Sequence, residues 1–254
     1  MRILFIGDIV GSYGLKYLKE KLPQLKSEYR PNIIIVNAEN TTNGKGLSLK
    51  DYKELMSMNI HAITMGNHTY RNSQINEYIE GSKIARPMNI INEKGQGFID
   101  INYNGKIITV INLIGTINMK LNFEVENPFI AIDNFLKTHK SDYTIVDFHA
   151  EATSEKLAMG YYLDGRVNAV VGTHTHVQTN DARVLEGKTL YVSDLGMTGP
   201  LNGILGVRKD IIIDRFVNDG KEVFKLDESN VNQLNGAFLE LTDNPKIKLI
   251  HLEK

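Results

Sequence analysis

An alternation of short β-branched runs with amphipathic stretches constrains this chain most, and it is repeated through the first third of the sequence. Residues 3–7 are apolar without polar interruption, which predicts a strand buried on both faces. Leu15, Leu18, Leu22 and Leu25 follow at helical spacing and predict a helix over 15–29. After Pro31 the run Ile33-Ile34-Ile35-Val36 predicts a second buried strand. The stretch 48–58 reads as a helix with Ser48 at its N-cap and Asp51 in its first turn. A third strand is expected over 61–65 and a short helix near 73–79. Strands alternating with helices predict a largely parallel sheet covered on both faces.

The middle of the chain changes character. Asn104-Gly105 between apolar runs at 98–103 and 106–113 is a two-residue hairpin signal. A helix is expected over 128–139 and strands over 143–148 and 167–171. A second hairpin joins 182–185 to 189–192 through Glu186-Gly187, and 236–241 with 247–252 reads as an antiparallel pair. No repeat or Pro/Ser-rich linker divides the sequence, so a single α/β domain spanning 1–254 is expected, with an antiparallel contribution.

Composition narrows the chemistry. The chain has no Cys, which excludes thiol catalysis, disulfides, iron–sulfur clusters and cysteine-ligated zinc. Any metal must be held by His, Asp, Glu, Asn or backbone oxygen. Twenty-nine basic residues against thirty acidic ones argue against a stable nucleic-acid complex but allow a small phosphate ester as substrate. The apolar N-terminal run is broken at Asp8, short of a signal-peptide core. No run reaches the ~18 apolar residues of a membrane span, so no membrane contact and a cytoplasmic address are expected.

The informative polar residues directly follow the apolar runs, where open α/β sheets place ligands. Five segments stand out: Gly7-Asp8-Ile9-Val10-Gly11, Asn37-Ala38-Glu39-Asn40, Gly66-Asn67-His68, Asp147-Phe148-His149-Ala150-Glu151 and Gly172-Thr173-His174-Thr175-His176. In extended backbone His174 and His176 share a face and can approach one site or two adjacent ones, although a pair of solvated loop histidines reads the same way. Asp8 alone fits the cap of the following helix equally well. A carboxylate at Glu39, at the end of a buried strand, needs a partner: either two cations bridged by its two oxygens, or a turn role. Asn67-His68 is ambiguous by itself. The corresponding placement of all five segments makes coincidence a poor account. The glycines of the first segment match neither a dinucleotide nor a phosphate-loop fingerprint, and no G-x-S-x-G elbow occurs.

On these residues the chain resembles the calcineurin-like metallophosphoesterases, and more narrowly their bacterial 2′,3′-cyclic-nucleotide 2′-phosphodiesterase branch. Gly66-Asn67-His68 and His174-x-His176 are marks shared broadly across the superfamily, whereas the Asn37-Ala38-Glu39-Asn40 and Asp147–Glu151 segments are more specific to the branch. Most superfamily members begin with Asp-x-His and bridge with Asp; here Ile9 and Val10 follow Asp8, and Glu39 holds the bridging place. The resemblance implies an α/β/β/α sandwich with mixed sheets flanked by helices. It implies one metal position from Asp8, Glu39, Asn40 (through its side-chain oxygen) and His176, and a second from Glu39, Asn67, His149 and His174. His68 is left as the proton donor to the departing ribose oxygen. Two ions ~3.5–4 Å apart share a hydroxide and clamp the phosphoryl oxygens in such enzymes. The implied substrates are 2′,3′-cyclic nucleotides, opened to 3′-monophosphates, and other small phosphodiesters such as 3′,5′-cyclic nucleotides.

The mixed donor set suits iron or manganese, divalent or mixed-valence, better than calcium, with zinc admissible. Two rival functions stay open: a phosphomonoesterase or nucleotidase on the same metals, and a regulatory metal-binding protein acting through a partner. Thr41, Thr42, Asn43, Thr179, Asn180 and the segment Met197-Thr198-Gly199 are candidate pocket residues, with ordinary loop chemistry an equal account. An antiparallel edge near the C terminus offers a surface for a homo-oligomer.

Overall fold

The apolar runs fold as strands whose alternate side chains enter two different cores. The computed structural model describes residues 1–254. The chain opens with β1 (Arg2–Ile6), β2 (Asp8–Ile9), α1 (Gly11–Tyr29), β3 (Ile33–Asn37), α2 (Leu49–Ser57), β4 (Ala62–Thr64) and β5 (Ile84–Ala85). There follow β6 (Phe98–Tyr103), β7 (Lys106–Ile114), α3 (Pro128–Thr138), β8 (Tyr143–His149), α4 (Thr153–Tyr162) and β9 (Ala169–Thr173). The remainder comprises β10 (Arg183–Val184), β11 (Leu190–Val192), β12 (Met197–Pro200), α5 (Lys209–Asn218), β13 (Asn232–Glu240) and β14 (Lys246–Glu253). None of the helices is long and apolar enough to cross a membrane.

Two mixed sheets result. The first runs β2-β12-β13-β1-β3-β4-β5, with β14 on β13; the second runs β10-β11-β9-β8-β7-β6. In the first, β1, β3 and β4 are parallel, with Ile3 opposite Ile33 and Val36 opposite Ile63. In the second, β7, β8 and β9 are parallel. Ile3, Phe5, Ile33 and Ile35 face Val110, Ile145, Val171 and Val192 across the space between the sheets. Leu4, Ile6, Ile34 and Val36 point the other way, against Leu15, Leu18, Leu22 and Leu25 of α1 and Leu55 of α2. The outer face of the second sheet packs Val146, Phe148 and Val170 on α3 and α4 through Ile132 and Met159. Each such side chain contributes ~1.5–3 kcal/mol on burial.

This corrects the expectation of one parallel sheet with helices on both faces. Each sheet has helices on one face only, because its other face is covered by its partner sheet. The Asn104-Gly105 hairpin starts that second sheet, and β7 then pairs parallel with β8. The hairpin between 182–185 and 189–192 forms as β10 and β11, and the C-terminal pair as β13 and β14. The short helix near 73–79 is a 3₁₀ turn, Ser73–Glu77, and α1 begins at Gly11, four residues before the periodic leucines. Ser48 Oγ accepts from Asp51 N at 3.2 Å, the expected cap. Val10 occupies the N-cap of α1 with no side-chain bond, so Asp8 lies in a strand and does not cap that helix.

Candidate active site

The strand order sets the polar segments side by side. Asp8 begins β2, paired with Met197 of β12. Glu39 and Asn40 follow β3, Asn67 and His68 follow β4, His149 ends β8, and His174 and His176 follow β9. Asp8, Glu39, Asn40 and His149 are buried; Asn67, His68, His174 and His176 are partly exposed.

At the centre, His149 Nε2 lies 3.2 Å from Glu39 Oε1, 3.0 Å from Asn67 Oδ1 and 3.0 Å from His174 Nδ1. Ligand atoms of Glu39, His149 and His174 all fall within 4.8 Å of one another. A Cβ at Gly66 would stand 2.3 Å from His149 Nε2 and 2.4 Å from Glu39 Oε2, so the cradle admits only glycine there. Beside this group, His176 Nε2 lies 3.1 Å from Asn40 Nδ2 and 3.9 Å from Asp8 Oδ1. Asp8 Oδ2 accepts from His174 N at 3.2 Å, but Asp8 Oδ1 is buried with no partner. An orphaned carboxylate oxygen is costly unless a cation or donor meets it. The donor set, the glycine cradle and that orphan oxygen fit divalent cations.

Hydrogen bonds orient the imidazoles. Thr173 Oγ1 donates to Asp147 Oδ1 at 2.7 Å and therefore accepts from His149 Nδ1 at 2.8 Å, which turns Nε2 to the centre. Asp147 Oδ2 also takes Asn37 Nδ2 at 3.3 Å and the Thr64 hydroxyl, tying the first sheet to the second beneath the site. His176 Nδ1 faces Leu205 O at 3.2 Å, which leaves Nε2 as its lone-pair side. Asn40 turns its amide nitrogen to Glu39 and His176, and its oxygen accepts from His68 Nδ1 at 2.7 Å.

Electrostatics divide the group. Burial pushes the Asp8 carboxyl well above the usual range. Burial pushes Glu39 the same way, but the charge of His149 and bonds from His149 and His68 outweigh it and hold Glu39 ionised. The same Glu39 charge overcomes the burial of His149 and raises it to about 9. Burial, then the His149 charge, lowers His174 to about 3, and burial lowers His176 and His68.

The second sheet's loop has support that the sequence did not announce. His174 and His176 both hold positive φ, at 105° and 67°, costly for non-glycine residues. The buried Lys156 of α4 donates to Thr173 O at 2.7 Å and to Asp194 Oδ2 at 2.6 Å. That oxygen also accepts from Thr175 N at 3.0 Å, and Asp194 Oδ1 accepts from Gly196 N at 2.8 Å. Glu151 Oε2 lies 3.1 Å from His174 Nε2. Asp147 carried a visible signal, a carboxylate inside an apolar strand; Lys156 and Asp194 carried none.

A cavity of about 470 Å³ opens over the site, with Glu39, Asn40, His68, His174 and His176 in its floor. Of the candidate pocket residues, Asn43 lines it. The Thr42 hydroxyl is committed to Asp51, and that of Thr179 to Asp181.

The family model described as YmdB-like protein matches residues 4–252. A 2′,3′-cyclic-nucleotide 2′-phosphodiesterase of Bacillus subtilis is 43% identical over 258 residues, covering 100% of this chain and 96% of that protein. A crystal structure described as a novel phosphatase from Mycoplasma pneumoniae superposes with a TM-score of 0.94 at 36% identity, covering 100% of this chain and 93% of the other. The NAD nucleotidase of Haemophilus influenzae superposes with a TM-score of 0.55 at 16% identity, over 100% of this chain and 55% of its own, a likeness of fold alone. The fold is the calcineurin-like phosphoesterase sandwich. The chain belongs to the YmdB-like protein family.

Proposed function

We propose that this chain is a metal-dependent phosphodiesterase acting on 2′,3′-cyclic nucleotides, with all 254 residues serving as one catalytic domain. The observation that carries this reading is the convergence of Asp8, Glu39, Asn67, His149, His174 and His176 from both sheets, with the buried Asp8 Oδ1 lacking any protein partner. The Bacillus subtilis relative supports the substrate class. Asp8, Glu39, Asn40 and His176 would hold one ion, and Glu39, Asn67, His149 and His174 a second, iron or manganese by donor chemistry. When bound, such a pair supplies a water nucleophile active near neutral pH and neutralises phosphoryl charge.

The protein's own groups do the rest. Glu39 provides the shared negative charge, and Thr173 with Asp147 holds His149 in its working orientation. Ligation through the Asn40 oxygen requires its amide to turn over, which takes that oxygen from His68 Nδ1. His68 sits at the cavity floor and donates a proton to the leaving 2′-oxygen. Burial lowers the His68 pKa, which makes its protonated form a stronger acid and a scarcer one near neutral pH.

The test is metal analysis paired with a substrate screen. The expected result is two transition-metal ions per chain, removable by chelators, and turnover of 2′,3′-cyclic nucleotides to 3′-monophosphates. Bis-p-nitrophenyl phosphate should be cleaved faster than the p-nitrophenyl monoester. Preference for the monoester would favour the nucleotidase reading, and one ion at saturation would end the dinuclear one.

A further inference from the structure

The wall of the cavity differs in chemistry from its floor. Besides the polar floor, the lining includes Leu205, Val207, Phe224 and Leu226, with Lys225 between the last two. They belong to two segments fastened together: Arg208 N donates to Lys225 O at 2.9 Å, Asp227 N donates to Gly206 O at 2.9 Å, and Val207 bridges Leu226. Leu226 is seated on the start of α1, where a Cβ at Gly11, already at a φ of +66°, would come within 2.3 Å of its Cδ1. The strap over the cavity is therefore an anchored arch. Phe224 stands beside that anchor, 44% exposed, and the Arg215 guanidinium of α5 covers its ring at 4.2 Å from the centroid.

We propose that this strap is the nucleoside-recognition wall of the site, and that Phe224 is the platform on which the base of a nucleoside cyclic phosphate stacks. The inference rests on the phosphodiesterase reading above and assigns the recognition of the base to a named side chain. A phosphate engaged at the floor leaves its organic substituent in the same cavity that Phe224 lines. The apolar side chains there offer a ribose hydroxyl no hydrogen bond, but they match the π-face of a base. Arg215 restrains the ring beforehand, which lowers the entropy lost when a base is stacked. A cavity of about 470 Å³ lies in the size range of small-ligand sites. Stacking reads a face that every base has, so the wall selects for a base without choosing strongly among bases.

The experiment compares kcat/KM for 2′,3′-cyclic AMP with that for the 2′,3′-cyclic phosphate of methyl ribofuranoside, which lacks the base. Metal-replete wild type should favour the nucleotide by roughly 10–100-fold, the range that base–aromatic stacking supports. In Phe224→Ala that preference should collapse toward unity, chiefly through KM for the nucleotide, while Phe224→Trp should retain it. A preference that survives Phe224→Ala, or equal use of both substrates by wild type, overturns the role of Phe224 and leaves the phosphodiesterase reading intact. Turnover of neither substrate by metal-replete wild type overturns that reading, and this inference with it.

Discussion

The two sheets reach the site by different means. From the first come Asp8, Glu39, Asn40 and Asn67, oxygen and amide donors on segments that continue directly from β1, β3 and β4. From the second come three imidazoles, two of them on a loop with positive φ at His174 and His176. The first sheet thus supplies carboxylate and amide groups and the second supplies imidazole nitrogen. Their supports differ accordingly. On the first side the close packing at Gly66 fixes what lies over it, whereas on the second side Lys156 and Asp194 hold the loop through its backbone. A site built this way separates what a donor is from what keeps it in place, and mutation can address the two separately.

The sharpest way to break the comparison is at the charge. Glu39→Gln preserves volume but removes the only carboxylate that reaches both His149 and His68. Asp8 is then the one remaining carboxylate of the proposed ligand set. Metal content and phosphodiesterase turnover should fall together to the level of the chelated protein, read by elemental analysis and by rate. A Glu39→Gln protein with full metal content and full turnover would assign Glu39 a structural turn role.

The second prediction concerns a residue of the first sheet that is not a proposed ligand. His68→Ala should retain its metals and lose ~10²–10⁴-fold of its rate on 2′,3′-cyclic nucleotides, the usual cost of a missing general acid. The deficit should be smaller on bis-p-nitrophenyl phosphate, whose leaving group needs little protonation. Equal loss on both substrates would make His68 a phosphate-positioning group. Loss of metal would show instead that its bond to the Asn40 oxygen, at 2.7 Å, holds the ligand set together.

The same division explains what the sequence disclosed. Strands β1 and β3 were legible because four consecutive apolar residues must be buried on both faces, and the polar residues after them then had to lie at one sheet edge. The three histidines of the second sheet were legible as residue types. What covers each sheet was not, because a run such as Ile33-Ile34-Ile35-Val36 is equally apolar whether its inner face meets helices or another sheet. The start of α1 was missed because Gly11 and Gly14 bury themselves without any apolar periodicity. Lys156 and Asp194 were illegible for a different reason. Each looks like an ordinary surface charge in sequence, and only the path of α4 past β9 brings Nζ to Thr173 O.

That buried pair gives the last and smallest effect, and the cleanest test of whether the second sheet's donors depend on their support. Lys156→Met leaves Asp194 buried without its cation, a change that typically costs about 3–5 kcal/mol, or a Tm lower by roughly 6–20 °C for a chain of this size. Metal affinity in this variant is pulled both ways. The loop loses the tie to Thr173 O, but the site gains net negative charge, which favours cations. Pairing Lys156→Met with Asp194→Leu removes both charges, so the electrostatic term cancels and the desolvation penalty is relieved. Thr175 N and Gly196 N still lose their Asp194 partner, and Thr173 O loses the Lys156 bond. The double variant should therefore recover much of the lost Tm and yet bind metal about 10–100-fold more weakly than wild type, as loss of groups behind metal ligands commonly does. Titration with Co(II), followed through its d–d spectrum well below the Tm, reads both affinity and ligand geometry. If affinity and spectrum return along with stability, Lys156 and Asp194 stabilise the fold without positioning His174 and His176, and the dedicated support of the second sheet's donors is confined to the Thr173–Asp147 pair behind His149.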